Sequence, residues 1–431
     1  MARLDEQDFD EKRLARRQKR KRRQLLAYIV LAVFVIIVGA GIAFGVHAIS
    51  GLFKPTKVEE TAVAADDGSY EEDSSGPTIA TPDEETHEVA QMTEKDVLDE
   101  IVEGIISEMT LEDKVAGLFM VTPEQITGVP TVVKAGSGTQ DALSKYAVGG
   151  IVYSAKNLKT TDQAAEMLKA TNDMSKYPLF TAVAEDTADD SSISSTLGGI
   201  ETVDINSSDA AYSTGNSIAT AMFKYGFNFD IAPNLDITEN GHYGTDIEVV
   251  NDITGAFVQG LEESGVTACV HDFPVSADTS EGSVIDESTR EMLVTGAYEV
   301  YKNAFENAGA KAVMLTNASL PQITGDNTPA SLSEKLIQEE LRGALNFDGV
   351  ILTGPLNETA ITGSVGADRV GVAALLAGAD IIYLPEDFEA AYNGILSALE
   401  SGEISEDRIN ESLTRIYRIK YAEKAAQLSG N

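Results

Sequence analysis

Asn346-Phe347-Asp348-Gly349-Val350-Ile351-Leu352-Thr353-Gly354-Pro355-Leu356 is a short apolar run entered through Asp-Gly and stopped by Gly-Pro. That pattern predicts a fully buried parallel strand whose C-terminal end opens into a loop. Seven other runs have the same character, at 117–121, 150–153, 179–183, 227–231, 266–270, 312–315 and 381–384. Helical periodicity fills the gaps at 161–174, 207–225, 249–264, 290–308, 333–345 and 370–377, and continues after the last strand at 389–401 and 404–422. Strand and helix alternating over about 330 residues predict an α/β protein, a (β/α)8 TIM barrel. An open doubly wound sheet would need fewer strands and a Gly-rich phosphate loop, which this chain lacks; Gly149-Gly150 merely opens a strand.

Outward from the barrel, an amphipathic helix begins at Thr93, with Val97, Leu98, Ile101, Val102, Ile105 and Ile106 on one side. The barrel is therefore placed at 93–424. Residues 54–92 are rich in Glu, Asp, Ser, Thr and Pro with few large apolar side chains, the composition of an acidic disordered linker. Residues 25–53 hold no Asp, Glu, Lys or Arg. They contain a stretch, 25–48, long enough for the ~20 residues that a bilayer-spanning helix needs. Ten Lys/Arg against five Asp/Glu in residues 1–24 put the N-terminus in the cytoplasm by the positive-inside rule and the barrel outside. A cleaved signal peptide is the competing reading, with Ala48-Ile49-Ser50 as its cleavage-like site. The expected location is the cell membrane, with a single pass.

The chain carries a formal net charge of −37, and the +5 of residues 1–24 leaves −42 on the remainder. So acidic a body repels nucleic acid and excludes a DNA- or RNA-binding role. The one cysteine, Cys269, lies in an apolar strand, so no disulfide forms within the chain and a packing thiol is expected. No Cys/His spacing of a metal site and no cofactor motif is present.

Several stretches together resemble the glycoside hydrolase family 3 N-terminal domain, in its β-N-acetylhexosaminidase branch. They are Met109-Thr110-Leu111-Glu112-Asp113-Lys114-Val115-Ala116-Gly117-Leu118-Phe119-Met120-Val121, Gly149-Gly150-Ile151-Val152, Ala232-Pro233-Asn234-Leu235-Asp236, Pro329-Ala330-Ser331-Leu332-Ser333, Phe347-Asp348-Gly349-Val350-Ile351 and Ala377-Gly378-Ala379-Asp380. The resemblance implies a retaining mechanism, in which an Asp after strand seven attacks the anomeric carbon and a loop His protonates the leaving oxygen. Two such groups must flank one bond.

At the positions that carry this chemistry the chain departs from the family. The nucleophile stretch T-D-x-L reads Thr353-Gly354-Pro355-Leu356, with Gly354 where the Asp belongs. K-H-F-P-G-H-G-D-T becomes His271-Asp272-Phe273-Pro274-Val275-Ser276-Ala277-Asp278-Thr279, and the loop that follows has no histidine. A-V-D-Q-E-G-G-R becomes Ala182-Val183-Ala184-Glu185-Asp186-Thr187-Ala188-Asp189, and R-x-F-G-x-D becomes Gly241-His242-Tyr243-Gly244-Thr245-Asp246.

No catalytic residue of the family is retained. The candidate barrel-mouth residues are Glu185, Asp186, Asp236, His271, Asp272, Asp278 and Glu281. Asp236 is expected to tie down its own loop, and His271 and His242 to be structural. The expected function is that of a binding or scaffold module of the cell envelope, inactive by the family's route. The partner classes are an N-acetylglucosamine-containing glycan or an envelope protein. The alternative is a β-N-acetylhexosaminidase-type hydrolase that uses relocated acids or substrate assistance, with Glu185, Asp272 or Glu281 as its acid.

Overall fold

The computed structural model describes residues 93–185, 192–197, 205–238 and 243–429. The membrane-crossing stretch, the basic segment and the linker expected before Thr93 lie outside the described residues, as do Asp186, Asp189 and His242. Among the described residues no helix is long and apolar enough to cross a membrane.

Eight parallel strands form the sheet: β1 Phe119–Val121, β2 Gly150–Val152, β3 Phe180–Val183, β4 Phe229–Asp230, β5 Thr267–Phe273, β6 Ala312–Leu315, β7 Val350–Leu352 and β8 Ile382–Tyr383. Their order is β7-β6-β5-β4-β3-β2-β1-β8, so each strand lies beside its sequence neighbour and β8 returns to β1. The remaining seam, β7 to β8, is closed by the parallel bridge Leu352–Ile381. There the amides of Asp380 and Ile381 donate to the Ile351 carbonyl at 2.8 and 3.0 Å, and the Thr353 amide donates to the Ile381 carbonyl at 3.0 Å. This is the α/β barrel that the alternating pattern predicts.

Three local details differ from the sequence reading. β5 runs on to Phe273, which pairs with Leu315 across a register shift, so His271 and Asp272 belong to the strand and not to the loop after it. The helix expected over 290–308 is two helices, Arg290–Val294 and Ala297–Glu306, broken where Gly296 leaves helical geometry at φ −134 and ψ −107. Residues Lys335–Ala344 wind as a wide π-helix.

The seam is held from outside by one buried carboxylate. Asp380 is fully buried. Its Oδ2 accepts from the Ile351 amide at 3.0 Å and from Arg342 Nη2 at 2.6 Å, while its Oδ1 accepts from Ser412 Oγ at 2.7 Å and Arg415 Nη1 at 3.0 Å. Arg342 also donates to the carbonyls of Phe347 and Gly349 at 2.8 and 2.7 Å, fixing the entry to β7. Arg408 spans the Leu375 and Ala379 carbonyls at 3.0 and 2.7 Å, on the approach to β8. One acid thus joins both closing strands to the C-terminal helix Glu406–Ser429.

At the opposite side of the ring, Gly149 precedes β2 because a Cβ there would sit 2.0 Å from the Gly117 carbonyl oxygen. Lys420 of the C-terminal helix donates to the Gly149 carbonyl at 2.7 Å and lies 4.6 Å from the Phe180 ring centroid. That helix therefore braces the bottom of the barrel at β2 and β3 as well as at the β7–β8 seam.

Replacing Asp380 with Ala strands the Arg342 guanidinium, whose side chain is only 13% exposed, without its counter-charge. The expected loss is about 3–5 kcal/mol of unfolding free energy, read by denaturant titration, the usual consequence of removing one partner of a buried ion pair.

Candidate site at the barrel mouth

Barrels of this class place their chemistry at the C-terminal ends of the strands. After β3, Glu185 is 1% exposed and turns back into its own loop. Its Oε2 accepts from the Ile193 amide at 2.7 Å and its Oε1 from the Ser194 amide at 2.9 Å, while its own amide donates to Asp230 Oδ1 at 2.8 Å. Both of its carboxylate oxygens thus hold backbone amides of the 192–197 segment. Glu185 is not the open acid that the sequence suggests.

After β4 the chain is stitched to β5: the Leu235 amide donates to the His271 carbonyl at 2.5 Å and the His271 amide to the Pro233 carbonyl at 3.1 Å. Asp236 accepts from Thr238 Oγ1 at 2.9 Å, which ties down its own loop as expected. His271 Nδ1 lies 3.0 Å from Asp272 Oδ1. Ser276 Oγ donates to Asp272 Oδ2 at 3.3 Å, and Asn234 Nδ2 donates to Ser276 Oγ at 3.1 Å. The structure thus brings Asn234, His271, Asp272 and Ser276 into one polar cluster. Peptide bonds 271–272 and 273–274 are both cis.

Asp278 and Glu281 stand apart from this cluster, both exposed. Asp278 closes its own turn by accepting from the amide and hydroxyl of Ser280 at 3.1 and 2.6 Å, and those hydrogen bonds hold its carboxyl below the usual range. Among the described residues no group of His, Cys, Asp and Glu is arranged to hold a metal ion. Cys269 is fully buried, and burial pushes its thiol well up, as befits a packing side chain.

One acid that joins three loops of the mouth is one that the sequence reading passed over. Glu358, half-buried in the loop after β7, accepts from the Thr279 hydroxyl and, at 2.8 Å, from Asn317 Nδ2 on the same oxygen, Oε2. The loops after β5, β6 and β7 therefore converge on one carboxylate. Asn317 Nδ2 also donates to the Pro355 carbonyl at 2.8 Å. The loop after β5 is fastened again further on, where the Asp286 amide donates to the Ser319 carbonyl at 2.8 Å and the Ser319 amide to Val284 at 2.9 Å. The loop after β5 is thus bound down along the loop after β6.

Gly354 is enclosed by its neighbours. Its amide donates to Ser331 Oγ at 2.8 Å, which fixes the backbone. A Cβ built on it would meet the Leu315 carbonyl oxygen at 2.7 Å and Asn317 Oδ1 at 2.8 Å. The space that an aspartate side chain would occupy is taken by Asn317 and a strand carbonyl. The only sequence signal for Glu358 is that it is the single acid in residues 353–366. For Asn317 there is none.

The chain matches the glycosyl hydrolase family 3 N-terminal domain over residues 110–419. It is 27% identical over 347 residues to beta-hexosaminidase LpqI of Mycobacterium tuberculosis, covering 74% of this chain and 84% of that protein. It is 29% identical over 230 residues to an uncharacterized secreted glycosyl hydrolase of Arthroderma benhamiae, covering 49% of this chain and 65% of the relative's length. A beta-hexosaminidase of Methylobacillus flagellatus is matched over 52% of its length. Among solved structures, a family 3 β-N-acetylglucosaminidase from Paenibacillus superposes with a TM-score of 0.66 at 27% identity, covering 74% of this chain and 63% of that one. With the family's domain matched from residue 110 to 419, across most of the barrel, this chain belongs to glycoside hydrolase family 3.

Proposed function

We propose that the chain is a membrane-anchored, extracytoplasmic family 3 barrel that holds a glycan at its mouth without cleaving it by the family's route. It would serve as a binding or scaffold module of the cell envelope. The observation that carries this reading is Gly354, where Asn317 and the Leu315 carbonyl fill the space of the absent nucleophile. Three further features support it: the loop over 274–289 contains no histidine, Glu185 is spent on backbone amides, and Asp278 on its own turn. The names of the relatives, beta-hexosaminidases and a β-N-acetylglucosaminidase, point to an N-acetylglucosamine-containing wall glycan as the ligand class. An envelope protein is the other class of partner.

The competing reading, a hydrolase working through relocated acids, gains one observation: Glu358 is an oriented carboxylate on the same loop as Gly354. An assay of the full chain with an aryl β-N-acetylglucosaminide separates the two. No turnover is expected; turnover that disappears in Glu358→Gln would replace the binding reading with the hydrolase.

Gly354→Asp is expected not to create activity and to lower stability by about 1–3 kcal/mol, the usual cost of overpacking a filled site. Restored turnover in that variant would show that the backbone yields there. For the anchor, deletion of residues 25–48 is expected to move the protein from the membrane fraction to the soluble one. Retention on the membrane after that deletion would overturn the anchoring assignment.

A further inference from the structure

We propose that the barrel mouth selects a cationic amino sugar, a hexosamine unit whose nitrogen is a free ammonium group rather than an acetamide, with Glu358 as its counter-charge. The inference rests on the glycan-binding reading above and narrows its ligand to the de-N-acetylated units of such a glycan.

The first observation is charge. The loops that follow β5 to β8, at 274–289, 316–333, 353–366 and 384–387, contain no Lys or Arg, and every one of them contains acid. The Lys and Arg on strand-end loops are confined to those after β1 and β2, at Lys134, Lys156 and Lys159. Of these, Lys156 is already paired with Glu124 at 3.4 Å. A mouth of one sign focuses its field on the ligand it admits, and this one admits cations and repels carboxylate-bearing sugars.

The second observation is local and independent of that count. Glu358 Oε2 is clamped by Thr279 and Asn317, whereas Oε1 has no protein partner among the described residues and is not among the buried atoms, so it faces solvent. A carboxylate fixed at one oxygen and open at the other is an oriented acceptor. Beside it Asn317, 2% exposed, has its amide nitrogen directed at the Glu358 carboxylate and the Pro355 carbonyl. Its Oδ1 is therefore turned toward Gly354, where no partner meets it. That oxygen is buried against Gly354, so the group left open to a ligand is Glu358 Oε1, which accepts and cannot donate. An ammonium group supplies three donors and a charge, whereas an acetamide places its own carbonyl acceptor into the same surroundings.

The test is calorimetric titration of the full chain with a glucosamine trimer and an N-acetylglucosamine trimer, at low and high salt. The glucosamine trimer is expected to bind about tenfold more tightly, the scale of one charge-assisted hydrogen bond, and to lose that advantage as salt rises. Glu358→Gln keeps the side-chain shape and removes the charge, so it is expected to equalise the two sugars. Thr279→Val removes one clamp without removing the charge and guards against a variant that fails to fold; it is expected to narrow the preference while keeping its sign. Glu166→Gln, on the exposed face of the helix Thr161–Met174, is expected to change nothing.

Equal or tighter binding of the acetylated trimer would overturn the charge inference and leave the glycan reading standing. Binding of neither sugar would overturn both. Oligolysine binding as tightly as the glucosamine trimer would overturn the sugar identity in favour of a cationic peptide.

Discussion

Closure of the ring rests on a single buried carboxylate. β7 and β8 meet through a single bridge and a few backbone hydrogen bonds, a narrower pairing than β5–β6 or β6–β7, so the seam gains from support outside it. Asp380 supplies that support by accepting from the Ile351 amide, two arginines and Ser412 at once. A buried acid is tolerated only when paired and fully hydrogen-bonded, and here both oxygens are. The same arrangement fixes the C-terminal helix against the barrel, and through Lys420 that helix reaches round to β2 and β3. The bottom of the barrel is in this way made rigid independently of the loops at its top.

That independence lets the loops at the mouth vary without loss of the fold. The strands and their closing network use carbonyls, amides and buried side chains at the N-terminal end, whereas the family's chemistry uses side chains on loops beyond the C-terminal end. Gly354, Asn317 and Ser331 form a small closed set: a hydroxyl fixes the glycine amide, and an amide side chain lies where a nucleophile would project. Glu358 then joins the loop after β5 to those after β6 and β7. The loops after β5, β6 and β7 are in this way bound to one another.

The mouth retains acids in quantity, yet their surroundings divide them into different roles. Glu185 is a buried tie for backbone amides, Asp278 a turn-closing residue, Asp236 a loop tie, and Asp272 a partner to His271 and Ser276. Glu358 alone of the acids in this mouth loop is held from two neighbouring loops while keeping one oxygen open. Count of charge therefore says little about which acid meets a ligand; the disposition of donors around each does.

Much of the architecture was legible in the residues themselves. Apolar runs bounded by Gly, Pro and Asp announce eight strands, because a strand buried on both faces has no polar alternation to show. That position 354 carries no side chain was legible too, since a glycine is read directly from the chain. The extension of β5 through His271 and Asp272 was hidden, because it depends on pairing with Asn234 and Leu315 and not on local propensity. The clamp on Glu358 was hidden for a stronger reason: its donors lie 79 and 41 residues away along the chain, and only closure of the barrel brings three loop ends to one point. The sequence by itself determined the ring and the glycine at 354. Which acid stays open at the mouth was decided by the tertiary structure, because hydrogen-bond saturation is a property of the neighbours that folding supplies.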